Sequence, residues 1–267
     1  MSDINQAERA FQAWPILTAT AKKKETITYL QLGNAIGIHH RAVRFVLGLI
    51  QDYCLEEKLP PLTILVVNGS GHPGTGFIAY DLNHFDQGLA DVWSKDWKSV
   101  ENPFDFSLSG NSYESLIKEL TTSPDESEAV YVKVKSRGIK QSMFRSALLN
   151  AYSHKCAFTN ISILDALEAC HIVPWAQSTP QQRLDVRNGL LLNSLHHRLF
   201  DGGYITISND YKIHYFDPKS KEREHTAFER PFTTGLHGTL MTVPRLLKHR
   251  PLPEYIERHH QIEEWEI

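Results

Sequence analysis

Three short frames within residues 168–201 constrain this chain more than any other feature: Glu168-Ala-Cys-His171-Ile-Val-Pro174, Arg187-Asn188-Gly-Leu-Leu-Leu192 and His197-Arg-Leu-Phe-Asp201. The first reads as a strand that carries His171 just before Pro174. The third reads as a helix, on which His197 and Asp201 are four apart and so project from one face about one turn up. An imidazole and a carboxylate held in that way suit one divalent ion, with waters filling its remaining positions. A histidine with an ordinary pKa near ~6.5 accepts a proton at neutral pH, which suits His171 to general-base work. The series therefore pairs a candidate base with a candidate metal seat.

More motifs stand in order around these frames. A helix Arg137-Gly-Ile-Lys140-Gln141-Ser-Met-Phe144-Arg145 comes before them, then the turn Cys156-Ala-Phe-Thr159, and Gly203-Tyr-Ile-Thr-Ile207 comes after. The whole series resembles the restriction-type subfamily of the HNH endonucleases, with a match from about Arg137 to Ile207 and on through Pro244, Leu252 and His259. The resemblance implies a ββα-metal fold and metal-dependent hydrolysis of a phosphodiester in duplex DNA. It makes His171 the general base, Asn188 the residue that holds that histidine in orientation, and His197 the third catalytic member. His197 and Asp201 become metal ligands for Mg2+ or Mn2+. Many relatives have Asp or His directly before the base, where this chain has Cys170. Glu168 projects on the same strand face as Cys170 and is the candidate for the remaining ligand, or for a partner of one. Cys170 reads as a small buried residue. His196 points about 100° away from His197 and is left as a phosphate contact or a solvated bystander.

Charge is distributed unevenly, although the net charge is only -3. No acidic residue occurs from Ala129 to Leu164, where Lys133, Lys135, Arg137, Lys140, Arg145 and Lys155 stand; Glu101 to Glu128 is mostly acidic. A basic block beside the catalytic frames is what phosphate attraction needs. Arg137, Lys140, Gln141 and Arg145 are candidate DNA contacts on the helix before the site. Arg183, Arg187 and Arg198 flank the catalytic segments as phosphate clamps.

The chain divides into an N-terminal unit (19–106), an acidic linker (107–129) with a short helix inside, and a nuclease domain (130–267). In the first unit, Thr28 to Gly37 reads as a helix with a Thr cap, and His39 to Asp52 as a second helix with His39, His40, Arg41 and Arg44 outward at its start. A strand over Pro60–Val67 and a glycine-rich turn over Asn68–Phe77, with a second strand after it, complete a winged-helix-like pattern in which Arg41 and Arg44 meet DNA. This stretch also resembles the DNA-binding domain of the alkyltransferase-like proteins. The reactive Pro-Cys-His-Arg segment of the alkyltransferases is absent, so only DNA binding carries over. The expected fold class is α+β, a winged-helix-like domain plus a ββα-metal domain.

The three cysteines are odd in number, widely spaced and without a Cys-x-x-Cys pair, which fits a reducing cytoplasm and implies no structural zinc. No apolar run approaches the ~20 residues of a membrane span, and no secretory signal follows Lys22–Lys24. The expected role is bacterial restriction or anti-phage defence, with a homodimer or defence-system partner proteins left open. Two alternatives also stay open: a DNA-binding regulator with an inactive HNH domain, and an RNA-cleaving, toxin-like nuclease.

Overall fold

The computed structural model describes residues 4–74, 77–217 and 224–267. By its internal contacts the chain forms two compact units, Met1–Leu116 with Lys133–Ser142, and Ile117–Val132 with Met143–Ile267. Among the described residues no helix is long and apolar enough to cross a membrane.

The first unit is built on α1 (Gln6–Lys23), which begins well before the expected boundary at Ala19. Asn5 caps it by accepting from the Ala7 and Glu8 amides, and Lys24 ends it in the left-handed conformation. Ala10, Ala13, Trp14, Leu17 and Ala21 are buried at helical spacing. Small residues dominate this stripe and a proline interrupts it at Pro15, so the apolar period is weak in the sequence. Trp14 meets Tyr53, Trp97 and Phe104 edge to face, with ring centroids 5.4, 5.9 and 6.3 Å away.

After β1 (Ile27–Thr28), Thr28 and Gln31 form a reciprocal capping box on α2 (Tyr29–Ala35). Gly37 takes φ 70°, and the chain turns into α3 (Val43–Glu56) through one 3-10 turn. Val43, Val46, Leu47 and Ile50 form the buried face of α3, as their spacing predicts. The expected wing differs. Residues Leu62–Leu65 make a 3-10 turn, and β2 (Val66–Val67) pairs in parallel with β1, Ile27 opposite Val66. Leu62 to Val67 are all buried, Thr63 among them, and burial of every side chain along the segment does not suit a solvent-facing hairpin. Asn68 organises the glycine-rich turn, its side-chain oxygen accepting from the amides of Ser70 and His72. No strand follows among the described residues; Gly76, one of the glycines of that turn, lies outside them. Helix α4 (Phe85–Ser94) then packs Leu89 and Val92 inward.

The acidic stretch carries two helices, α5 (Tyr113–Thr122) and α6 (Ser127–Lys133), with Leu116, Leu120 and Val130 fully buried. Helix α7 (Arg137–Ala151) follows, with Phe144 and Leu148 buried and Leu149 half-buried.

In the second unit, β3 (Leu167–His171) pairs antiparallel with β4 (Gly189–Asn193), Glu168 opposite Leu192 and His171 opposite Gly189. Between the strands lies a loop with the short helix α8 (Pro180–Leu184). Helix α9 (Ser194–Asp201) leaves β4 directly, capped by Asn193, and β5 (Ile205–Ile207) with β6 (Ile213–Tyr215) forms a second hairpin. The last helix, α10 (Pro253–Ile262), lies on α9 through His259, stacked on Phe200 at 4.1 Å. Gly189 is a point of close approach: a Cβ there would come 2.7 Å from side-chain atoms of Phe144 and Leu148.

Trp14→Ala should destabilise the first unit by about 3–5 kcal/mol, as loss of a buried indole does. Urea unfolding followed by the remaining tryptophans measures this; an unchanged transition would mean that α1 is not part of that core.

Candidate active site

Helix α9 leaves β4 directly, so the ββα element puts His197 and Asp201 beside β3. Strand alternation sends Glu168 and Cys170 to the face that meets α9, and His171 to the other.

His171 is held on several sides. Its ring stacks on Phe144 of α7, 4.1 Å between centroids and 14° between planes, and Trp175 meets it edge-on at 5.7 Å. Nε2 lies 3.0 Å from the Arg183 carbonyl oxygen. A carbonyl only accepts, so Nε2 carries the proton, and Nδ1 is the basic nitrogen of the neutral ring.

Asn188 is fully buried. Its Oδ1 accepts from the Val173 amide at 2.8 Å, and its Nδ2 donates to the Gln182 carbonyl at 3.0 Å and the Val173 carbonyl at 3.3 Å. Asn188 ties down the loop whose next residue, Arg183, receives the His171 proton. Arg183 is itself fixed, donating to the Trp175 carbonyl and to the Tyr131 hydroxyl.

His197 sits between two carboxylates. Its Nδ1 is 2.5 Å from Glu168 Oε2, and its Nε2 is 3.3 Å from Asp201 Oδ2. Burial alone would lower the His197 pKa, but hydrogen bonds to Asp201 and Glu168 outweigh it and raise the pKa above 6.5. Burial likewise opposes ionisation of both carboxyls. Hydrogen bonds from Ser194 and His197 nevertheless hold Glu168 below its ordinary value, and His197 does the same for Asp201. Because the carboxylates occupy opposite ring nitrogens, they cannot both join His197 on one ion in this arrangement. The ligand atoms of Cys170, His197 and Asp201 lie within 4.8 Å of one another. Cys170 is fully buried, its thiol 3.7 Å from Asp201 Oδ1; burial and then Asp201 push its pKa well above the usual range. It therefore stands as a neutral donor to Asp201.

One group on α10 and one just past its end complete the surroundings. His259 is buried, with Nε2 lacking a partner, and burial pushes its pKa down to about 4, so the ring is neutral. Glu263 lies close enough to Asp201 for burial and that negative charge to raise its pKa. Glu263 escaped the sequence reading; its signal was the four-residue spacing from His259.

His196 is neither a phosphate contact nor solvated: it is fully buried, and Nε2 lies 3.0 Å from the Phe232 carbonyl. Of the candidate DNA contacts, Arg41, Arg44, Arg137 and Arg198 are exposed, and Gln141 is half-buried. Lys140 is buried. Arg145 donates to the Leu164 and Leu167 carbonyls at 3.1 Å and so braces the approach to β3. Arg187 pairs with Asp185 at 2.7 Å and Asp125 at 2.6 Å, and Asp185 also accepts from Tyr255 of α10. These three residues serve the fold before they serve a ligand.

The His197 cluster gives a pH signature in metal-free protein. Its raised pKa means that the share of stability from His197 is fully present below pH 6.5 and is lost as pH rises through the raised value. The shares from Glu168 and Asp201, lowered from 4.5 and 3.8, are present above those values and lost as pH falls through the depressed ones. In EDTA the cluster should therefore stabilise most between about pH 4.5 and about pH 6.5 and less toward alkaline pH. Urea unfolding of wild type beside His197→Gln checks this; an alkaline decline of equal size in both would refute it.

A family model described as HNH endonuclease matches residues 156–208, which run from the Cys156 turn to the end of β5. No curated protein matches the chain. The hairpin that carries Glu168, Cys170 and His171, together with the helix that carries His197 and Asp201, is an HNH endonuclease domain.

Proposed function

We propose that the chain is a metal-dependent endonuclease that cuts duplex DNA, acting in bacterial restriction or anti-phage defence. The observation that carries the chemistry is the Nε2–Arg183 bond of His171, which presents Nδ1 as the base. His171 then draws a proton from water at Nδ1 as that water attacks phosphorus, while Phe144 and Trp175 keep the ring from turning.

The donor set fits a hard divalent ion such as Mg2+ or Mn2+. It offers a carboxylate and an imidazole, with the neighbouring thiol held protonated. His197 Nε2 and Asp201 would hold the ion. Glu168 would hold His197 Nδ1 and so orient and enrich the imidazole, as carboxylates commonly do behind metal-bound histidines. Such an ion neutralises charge on the scissile phosphate and the leaving oxygen when bound. Binding requires that His197 give up the proton that the two carboxylates favour.

Arg198 is exposed on α9 and Arg137 at the start of α7, both suited to phosphate oxygens. Arg41 and Arg44, exposed near the start of α3, support a DNA-holding role for the first unit. The defence role rests on the resemblance to restriction-type enzymes.

Supercoiled plasmid incubated with Mg2+, Mn2+ or EDTA tests this reading. Wild type should relax or linearise it only with metal, and His171→Ala should be slower by about 10²–10⁴-fold. His197→Ala should be inactive at metal concentrations that saturate wild type. Cleavage that survives in EDTA or in His171→Ala would overturn the assignment, and equal cleavage of structured RNA would overturn the substrate.

A further inference from the structure

Arg183 is half-buried beside the candidate base, and the polar partners of its side chain are neutral. Nε donates to the Trp175 carbonyl at 3.1 Å, and Nη1 to the Tyr131 hydroxyl at 2.7 Å. The guanidinium carbon lies 5.2 Å from the centroid of the Trp175 ring and 5.7 Å from that of Tyr131. Among the described residues no carboxylate pairs with it, whereas Arg187 on the same loop has Asp185 and Asp125. The two hydrogen bonds leave the greater part of the guanidinium donor set unused. Nη2 has no partner among the described residues and is not sealed from solvent. Charges drawn out of water are ordinarily compensated, so a guanidinium fixed by neutral groups alone is a standing seat for an anion. Its location says which anion. Trp175 also meets the His171 ring edge-on at 5.7 Å, and the Arg183 carbonyl lies 3.0 Å from His171 Nε2.

We infer that Arg183 is a catalytic residue that meets the scissile phosphate from the side of the base. The inference rests on the nuclease reading above. One residue then performs two tasks: its carbonyl keeps the proton on Nε2 of His171, and its guanidinium seats the diester under attack. The fork of Nη2 and the remaining Nη1 hydrogen matches two phosphate oxygens. Because Trp175 and Tyr131 already hold the side chain, it needs no reorganisation as charge shifts among those oxygens during attack. The other two arginines expected to clamp phosphate are placed differently. Arg187 is committed to carboxylates, and Arg198 is exposed on α9.

Two variants separate charge from shape. Arg183→Gln removes the charge and keeps a donor for the Trp175 carbonyl, while Arg183→Lys keeps the charge and loses the fork. Neither alters the backbone carbonyl, so imidazole nitrogen chemical shifts should show His171 protonated at Nε2 in both, as in wild type. Duplex binding is measured in EDTA across a salt series, where each phosphate contact contributes about 0.9 to the slope of log affinity against log salt. Arg183→Gln should lose the slope of about one contact, and Arg183→Lys should retain it. At saturating DNA and Mg2+, plasmid cleavage should fall about 10²–10³-fold in Arg183→Gln, the usual cost of a lost transition-state donor, and less in Arg183→Lys.

Loss of slope together with loss of cleavage, with the His171 proton still on Nε2, supports the proposal. Either loss without the other overturns it: cleavage lost at unchanged slope makes Arg183 a brace of the loop, and slope lost at unchanged cleavage places its phosphate away from the reaction. A His171 proton moved to Nδ1 in Arg183→Gln overturns it as well. If wild type cuts and both variants cut equally well, the nuclease stands and the role of Arg183 falls. If wild type itself never cuts, the nuclease reading falls, and the slope alone decides whether Arg183 seats a phosphate.

Discussion

The buried amide of Asn188 is the constraint on which the candidate base depends. Both ends of the side chain are committed to backbone, on Val173 at one side and Gln182 at the other. This closes the loop between the strands of the hairpin and presents the Arg183 carbonyl to His171. The same loop is held from outside by Arg183 on Tyr131, by Ser127 on the Gln181 carbonyl, and by the Asp185–Arg187–Asp125 pairs. A loop that would otherwise be free to move becomes the wall that decides which nitrogen of His171 is basic. Fixing the tautomer by backbone costs less reorganisation during reaction than leaving it to a mobile side chain.

The second constraint is electrostatic. His197 has a carboxylate at each nitrogen, so the metal-free site stores its proton, and an incoming cation competes with that proton. Under the proposed function, the opposed placement of Glu168 and Asp201 would divide the work between orienting the imidazole and meeting the ion. Cys170, directly before His171, keeps its proton and adds a hydrogen bond to Asp201 in place of a charge. Glu263, just past the last helix, is near enough to Asp201 that burial and this negative charge raise its pKa.

Much of this was legible in the order of residues. The frames around His171, Asn188 and His197 place a strand, a strand and a helix because apolar alternation, Pro174 and four-residue spacing are local signals. The Thr28 cap and the Gly37 stop are local too, and α2 with α3 follows them. The wing did not follow, because whether Val66 and Val67 pair forward or back to Ile27 is decided by long-range burial. Helix α1 was missed because its buried stripe is largely alanine, which carries little hydropathic contrast. Basic side chains were legible as charge but not as partners: nothing local shows that Arg187 faces Asp125 and Asp185, or that Arg145 reaches the Leu164 carbonyl.

Calorimetric titration of Mn2+ into the metal-free protein near neutral pH, repeated in buffers of different ionisation enthalpy, tests the central claim most directly. The account predicts one ion bound with release of up to about one proton, with binding lost in Asp201→Asn and weakened in Glu168→Gln. Binding that releases no proton, or that survives in Asp201→Asn, would contradict a seat built on His197 and Asp201.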